Sequence, residues 1–157
     1  MKISLEGPIS ENTELFSLPI KSEPLVEVDM QKVTFINSIG VKNWITWTNK
    51  IPSQNTVELQ FCPTVIANQA SSVHGFLPKN FYIKSFYAPF LCPDCSKDTT
   101  QLLERGKHFE FATKADAEWV KLPEKIMCPK CKNEMEPDFV EKRMFAFLRK
   151  NLIEEKV

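Results

Sequence analysis

Short alternating runs of apolar and polar residues open the chain. Ile3 and Leu5 interleave with Lys2, Ser4 and Glu6, and in LVEVDM (25–30) Val26 and Val28 oppose Glu27 and Asp29. A period of two predicts two strands, each with one buried face. The period then changes: Val41, Trp44, Ile45 and Thr48 recur at helical spacing until Pro52 and Ser53 end the run, which predicts a helix over 41–50. TVELQF (56–61) reads as a buried strand, and Pro63 stands where a first-turn proline opens a second helix through Val65, Ile66, Ala70 and Val73, stopped near Gly75. FYIKSF (81–86) reads as the last strand. The order strand, helix, strand, helix, strand predicts an α/β layer with some parallel pairing. Trp47 lies about 60° from Trp44 around that first helix. It is therefore either an exposed binding anchor or a ring lying flat over Pro52 or another domain.

From 87 to 136 the helical period is lost, and two Cys-Pro-x-Cys units, CPDC and CPKC, flank a charged, weakly β-like stretch. After it, Pro137 and Asp138 open a run in which Val140, Met144, Phe147 and Leu148 share one helical face, predicting an amphipathic helix through about Leu152. The expected division is an α/β domain over 1–88, a ribbon over 89–136 and a terminal helix over 137–157. That helix is expected to cover the sheet of the first domain.

The cysteines supply the chemistry. Cys92 and Cys95 form one pair, Cys128 and Cys131 the other, with 32 residues between pairs. A two-residue spacing lets a tight turn aim both sulfurs at one ion, and two such knuckles make a tetrahedral, closed S₄ site suited to structural Zn²⁺. The alternatives are two redox CxxC motifs or loose buried thiols. Ser96 and Lys132 stand directly after the second cysteine of each pair, where glycine often serves, and this predicts strained turns. Cys62, at a strand end before Pro63, reads as a small buried apolar thiol rather than a fifth ligand or nucleophile. His74 and His108 have no acid or cysteine partner at a recognisable spacing and read as surface or packing residues.

Composition narrows the function. The 157 residues are 43% apolar and 25% charged, with 20 basic against 20 acidic side chains, the profile of an ordinary globular protein. The balance holds in both halves, so the excess of Lys and Arg that builds nucleic-acid affinity is missing. Metal loading would move the charge further, since four thiolates around Zn²⁺ carry about −2. MKISLEGPIS lacks a basic segment followed by a long apolar run, and no stretch approaches the ~18 apolar residues of a membrane span. The expectation is a cytoplasmic protein with reduced thiols and no membrane partner.

The segment LVEVDMQKVTFINSIGVKNWITW resembles the STAS domain, the fold of bacterial anti-sigma-factor antagonists, in which an acidic strand end precedes an Asp-Ser-Ser/Thr-Gly loop and a helix. The resemblance runs over about 1–88, taking in an early turn at GPIS-E (7–11), VDM, NSIG, the strand ending at Cys62 and Pro63, its helix and YIKSF. It implies a mixed sheet faced by helices, a protein-recognition loop and, in many members, phosphorylation of the loop serine by a partner kinase. Carried over, the phosphoacceptor is Ser38, the loop glycine is Gly40, and the partner-binding set is Asn37, Ser38, Ile39, Gly40, Lys42, Asn43 and Trp47. Asn37 stands where the family has aspartate, and Ile39 where it has a second Ser or Thr. Without the family, Ser38 reads as an N-cap of the following helix, contributing about 1 kcal/mol; regulated phosphorylation or a small-ligand role for the loop are the alternatives.

The function expected is thus a non-catalytic regulatory protein-interaction module with a structural zinc site, its partner an anti-sigma-factor-like kinase or another regulatory protein. No Ser, His and Asp or Cys and His arrangement in the sequence supports nucleophilic catalysis. The alternatives are a nucleic-acid-binding zinc ribbon, disfavoured because Glu134, Glu136, Asp138 and Glu141 interleave with Lys130, Lys132, Lys142 and Arg143, and a nucleotide-binding STAS relative, for which no P-loop or GxGxxG is present.

Overall fold

A computed structural model of the chain describes residues 1–11, 18, 20, 22–113 and 119–150, with only the backbone described at Trp119. Four strands, β1 (Lys2–Ile9), β2 (Leu25–Ile36), β3 (Thr56–Gln60) and β4 (Phe81–Ile83), form one sheet in the order β1-β2-β3-β4. Every pairing in it is parallel, where the resemblance implied a mixed sheet. Helix α1 (Ser38–Thr48) joins β2 to β3 and α2 (Thr64–Ser72) joins β3 to β4. Crossovers of one hand between successive neighbours put both helices on the same face. Burial agrees: Val26, Val28, Met30, Val57, Leu59, Phe81 and Ile83 are sealed, while Glu27, Asp29, Glu58, Gln60 and Tyr82 between them stay half-exposed. Glu27 and Glu58 are register neighbours on that open face, and Lys2 at 4.0 Å and Lys84 at 3.7 Å offset them.

Two expected boundaries move. Strand β2 continues past Met30 to Ile36, and register shifts in its pairing with β1 bring Val33 and Ile36 back to the core after exposed Gln31 and Lys32. The residues expected to turn at 7–11 belong largely to β1, where Gly7 takes φ +70° beside the shift. The run 81–86 is not one strand either: it divides at Lys84, and β5 (Ser85–Leu91) leaves for a second, antiparallel sheet ordered β6-β5-β9, with β6 at Asp98–Glu104 and β9 at Glu136–Pro137. A two-stranded ribbon pairs β7 (Phe109–Glu110) with β8 (Trp119–Val120).

Helix α1 packs through Gly40, Trp44, Trp47 and Thr48. Its buried face is therefore rotated from the Val41 and Ile45 stripe, and Trp47, expected at the edge or exposed, is only 3% accessible. The reason is Gly40: a Cβ there would come within 1.9 Å of the Ile9 carbonyl oxygen, so the helix lies directly on the end of β1 and turns its tryptophans inward. Trp44 stacks on Phe76 at 5.3 Å and its Nε1 donates to the Phe76 carbonyl at 2.9 Å.

The terminal segment also departs from the single helix expected over 137–152. Pro137 belongs to β9, α3 spans Glu141–Met144, and a 3₁₀ turn follows at Ala146–Arg149; residues beyond Lys150 lie outside those described. Met144, Phe145, Phe147 and Leu148 are all buried. A straight α-helix would spread them over about 160° of its surface, and the break at Phe145 gathers them on one side. They pack on α2 rather than on the open sheet face: Ser71 Oγ donates to the Met144 carbonyl at 2.8 Å and accepts from the Phe147 amide at 3.2 Å. Lys150 Nζ donates to the carbonyls of Pro78, Lys79 and Phe81. One buried cluster runs from Val26 and Trp44 through Phe86 and Phe90 to Cys92, Cys128 and Phe147, so the expected divisions at 88/89 and 136/137 both fall within it.

Two outcomes follow from this packing. Gly40→Ala lowers stability by about 3 kcal/mol, at the upper end of overpacking costs because the obstacle is backbone, read as a shift in denaturation midpoint. Removing 137–157 abolishes the cooperative melt of the whole chain; a truncated protein with a sharp, near-native transition by circular dichroism would contradict the packing described.

Candidate metal centre and recognition loop

Strand β5 delivers Cys92 to the first knuckle, which closes with the Cys92 amide on the Lys97 carbonyl at 2.8 Å and the Ser96 amide on the Cys92 carbonyl at 3.0 Å. The second repeats it: Cys128 N to Asn133 O at 2.7 Å and Lys132 N to Cys128 O at 2.9 Å. Pro93 and Pro129 pre-set the turn after the first cysteine. Ser96 and Lys132 take left-handed conformations, with φ of 63° and 67°. This is the strain expected from the missing glycines, about 1 kcal/mol at each position.

The four sulfurs of Cys92, Cys95, Cys128 and Cys131 all lie within 4.8 Å of one another. The closest approaches join opposite knuckles: Cys92 Sγ to Cys131 Sγ at 3.4 Å and Cys95 Sγ to Cys128 Sγ at 3.5 Å. Sulfurs around a tetrahedral ion with ~2.3 Å bonds stand about 3.8 Å apart, so the set fits one metal ion with little movement. Cys92 and Cys128 are buried, and among the described residues no histidine or carboxylate joins the four. The donor set is all sulfur and closed.

The thiols do not ionise alike. The amides of Cys131 and Lys130 pull Cys128 down to about 6 against the opposing cost of burial, helped by hydrogen bonds from Cys95 and Cys131. At Cys131 the Asn133 amide also favours the thiolate, but hydrogen bonds with Cys92, Cys95 and Cys128 and burial outweigh it and push the group up to about 12. The first thiolate is welcomed and later ones are repelled; a bound cation removes that repulsion.

The loop residues separate into two groups. Asn37, not Ser38, caps α1: its Oδ1 accepts from the Gly40 amide at 2.7 Å, while its Nδ2 donates to Glu11 Oε2 at 2.9 Å and holds that carboxyl below its usual range. β2 ends at Ile36, which leaves Asn37 extended at the position an N-cap needs and makes Ser38 the first helical residue. Ser38, Ile39 and Lys42 are exposed and Asn43 half-exposed, whereas Gly40 and Trp47 are buried and cannot meet a partner directly. Phe35, 50% exposed at the end of β2, escaped sequence reading because the alternation around it breaks.

The remaining candidates read as packing. Cys62 is fully buried with its sulfur 3.9 Å from Met30 Sδ, and burial, with Asp29 adding, pushes its thiol well up. His108 Nδ1 accepts from the Glu104 amide at 2.9 Å, and desolvation, reinforced by Lys107, lowers its pKa, so the ring is neutral at pH 7. His74 is exposed. Among the described residues, no helix is long and apolar enough to cross a membrane.

Elemental analysis is expected to return one metal ion per chain. Ligation needs thiolates, so metal-dependent stability is present at neutral pH and lost on acidification as protons displace the ion. Chelation should lower the melting temperature by about 10 °C, equivalent to about 3 kcal/mol; an unchanged melt after complete metal removal would refute a structural role. Comparison with known proteins finds no matching family model, curated protein or solved structure.

Proposed function

We propose that this chain is a non-catalytic regulatory module of the STAS kind, which binds a partner protein through the carboxyl edge of its parallel sheet and is braced by a structural Zn²⁺ ion. The observation that carries the reading is the pair of apolar side chains flanking Ser38. Phe35 is 50% and Ile39 52% exposed, on a loop fixed by the Asn37 cap, the Asn37 to Glu11 bond and the contact of Gly40 with β1. Exposed apolar anchors on a rigid loop lose little entropy on binding. Ser38, on the first turn of α1, offers its hydroxyl to a kinase, and a phosphate there meets the positive end of the helix. The order of β2, loop, α1, β3, α2 and β4 also follows the order implied by the resemblance, although the sheet is parallel throughout. Zinc is favoured for the metal because a closed S₄ set without redox partners suits it.

The binding reading is tested by measuring affinity of the wild type, Ile39→Asp, Ser38→Asp and a distant Lys142→Glu control for proteins captured from native lysate, at low and moderate salt. Ile39→Asp should weaken capture about tenfold or more with an unchanged melt, while Lys142→Glu behaves as wild type. Equal capture by all four proteins would remove the loop from recognition. Capture that collapses with salt and with nuclease would instead point to nucleic acid. Iron in place of zinc would announce itself by visible colour.

A further inference from the structure

A cavity lies where the chain changes sheets. It measures about 280 Å³ and is lined by Gln60, Phe61, Lys84, Ser85 and the turn from Glu104 to Lys107. Phe61 adopts φ +53°, a left-handed conformation that costs a non-glycine residue about 1 to 2 kcal/mol. The kink has a local cause: it brings Cys62 into a bridge with Phe86, with the Phe61 amide donating to Ser85 Oγ at 2.8 Å and the Cys62 amide to the Ser85 carbonyl at 3.0 Å. Its consequence is a recess beyond the carboxyl ends of β3 and β4, the end of a parallel sheet at which ligands are ordinarily held.

Three of the residues lining this recess, Lys84, Arg105 and Lys107, are cationic. Glu104 lines it with them, and Glu110 and Glu58 meet Arg105 and Lys84 from outside the lining. Arg105 is held in place: its guanidinium lies 4.7 Å over the Tyr82 ring and 5.2 Å over Phe111, and its Nε donates to Glu110 at 2.7 Å. A guanidinium has five N–H donors, and fixing its plane in advance reduces the entropy lost when it grips an anion. Lys84 pairs with Glu58 only at 3.7 Å and half-exposed, a weak tie in water. Among the described residues no carboxylate is paired with Lys107.

We infer that this recess is a binding site for a phosphate-bearing small molecule, with Arg105 as the fixed fork and Lys84 and Lys107 as adjustable charges. A phosphate group would take the Arg105 donors that Glu110 leaves unused and compete with the 3.7 Å contact of Lys84 to Glu58, with Lys107 as the third donor. The volume sits at the small end of ligand cavities, which fits a phosphate or diphosphate group with a short attached fragment and excludes a dinucleotide. The site is separate from the Ser38 loop and does not depend on what that loop binds.

Isothermal titration of the full, metal-loaded chain with inorganic pyrophosphate, and separately with ADP, tests it. Saturable binding of about one equivalent is expected, with a dissociation constant on the order of 1 mM or tighter. Lys107→Glu should weaken it about tenfold or more with an unchanged melt, because both charge and hydrogen-bond donors are lost. Arg105→Lys should weaken it too, through loss of the planar fork, while Lys142→Glu binds as wild type. Tighter binding of ADP than of pyrophosphate assigns the ligand to the nucleotides; equal binding assigns recognition to the phosphate groups alone. Absence of saturable binding to both probes overturns the site, and so does an equal loss in Lys107→Glu and Lys142→Glu, which would mark diffuse attraction.

Discussion

Phe86 sits where three parts of the chain meet. Its backbone bridges Cys62 at the end of β3, and its ring lies 5.6 Å from Phe109, 5.6 Å from Phe145 and 5.7 Å from Phe147. The parallel sheet, the ribbon and the terminal segment therefore share one buried aromatic centre. Truncating such a side chain costs about 3 to 5 kcal/mol, and tilted ring pairs add about 0.5 to 1.5 kcal/mol each beyond area burial. Against a typical total stability of 5 to ~15 kcal/mol, that centre is enough to make the three parts fold together. It also explains why β5 leaves the parallel sheet: Phe86, Ala88 and Phe90 are all sealed, which a fifth parallel strand at an edge with helices on only one face would not achieve.

The ribbon depends on the same strand. β7, β8 and β9 have two residues each, too few to hold a register by backbone bonds alone. What fixes them is attachment at two points: Phe90 and Leu91 of β5 pair with Pro137 and Glu136, and the sulfur cluster joins the start of the ribbon to its end. The sulfur cluster thus closes a long loop whose two ends are already adjacent, and a bound ion would over-determine the turns that carry the two left-handed residues.

Much of this was legible in the residues. Spacing alone assembled the four sulfurs, because a Cys-Pro-x-Cys turn is local and its geometry is carried by the proline. Alternation found β1 and the start of β2, and the helical period found α1 and α2. Long-range demands were not legible. The rotation of α1 that buries Trp47 is set by the distance from Gly40 to a carbonyl on β1, which no period within the helix encodes. The division at Lys84 is invisible because FYIKSF alternates cleanly across it. The break at Phe145 arises because four apolar residues must all face one aromatic centre. At the loop, β2 runs past the expected end at Met30 to Ile36 and α1 begins at Ser38 rather than Val41, which makes Asn37 the cap in place of Ser38.

That last shift frees the serine. A hydroxyl engaged as an N-cap is an acceptor already committed to the helix, whereas Ser38 on the first turn is exposed while Asn37 carries the cap. The amide of Asn37 accepts from Gly40 through its oxygen and donates to Glu11 through its nitrogen, a double role that a carboxylate beside Glu11 could not fill without like-charge repulsion. Parallel strands gather such loops and the amino ends of helices along one edge, and both the Ser38 loop and the recess at Arg105 lie on it. A fold built this way can present two chemically different surfaces on one edge, one apolar and flanking a hydroxyl, the other concave and lined by charged side chains.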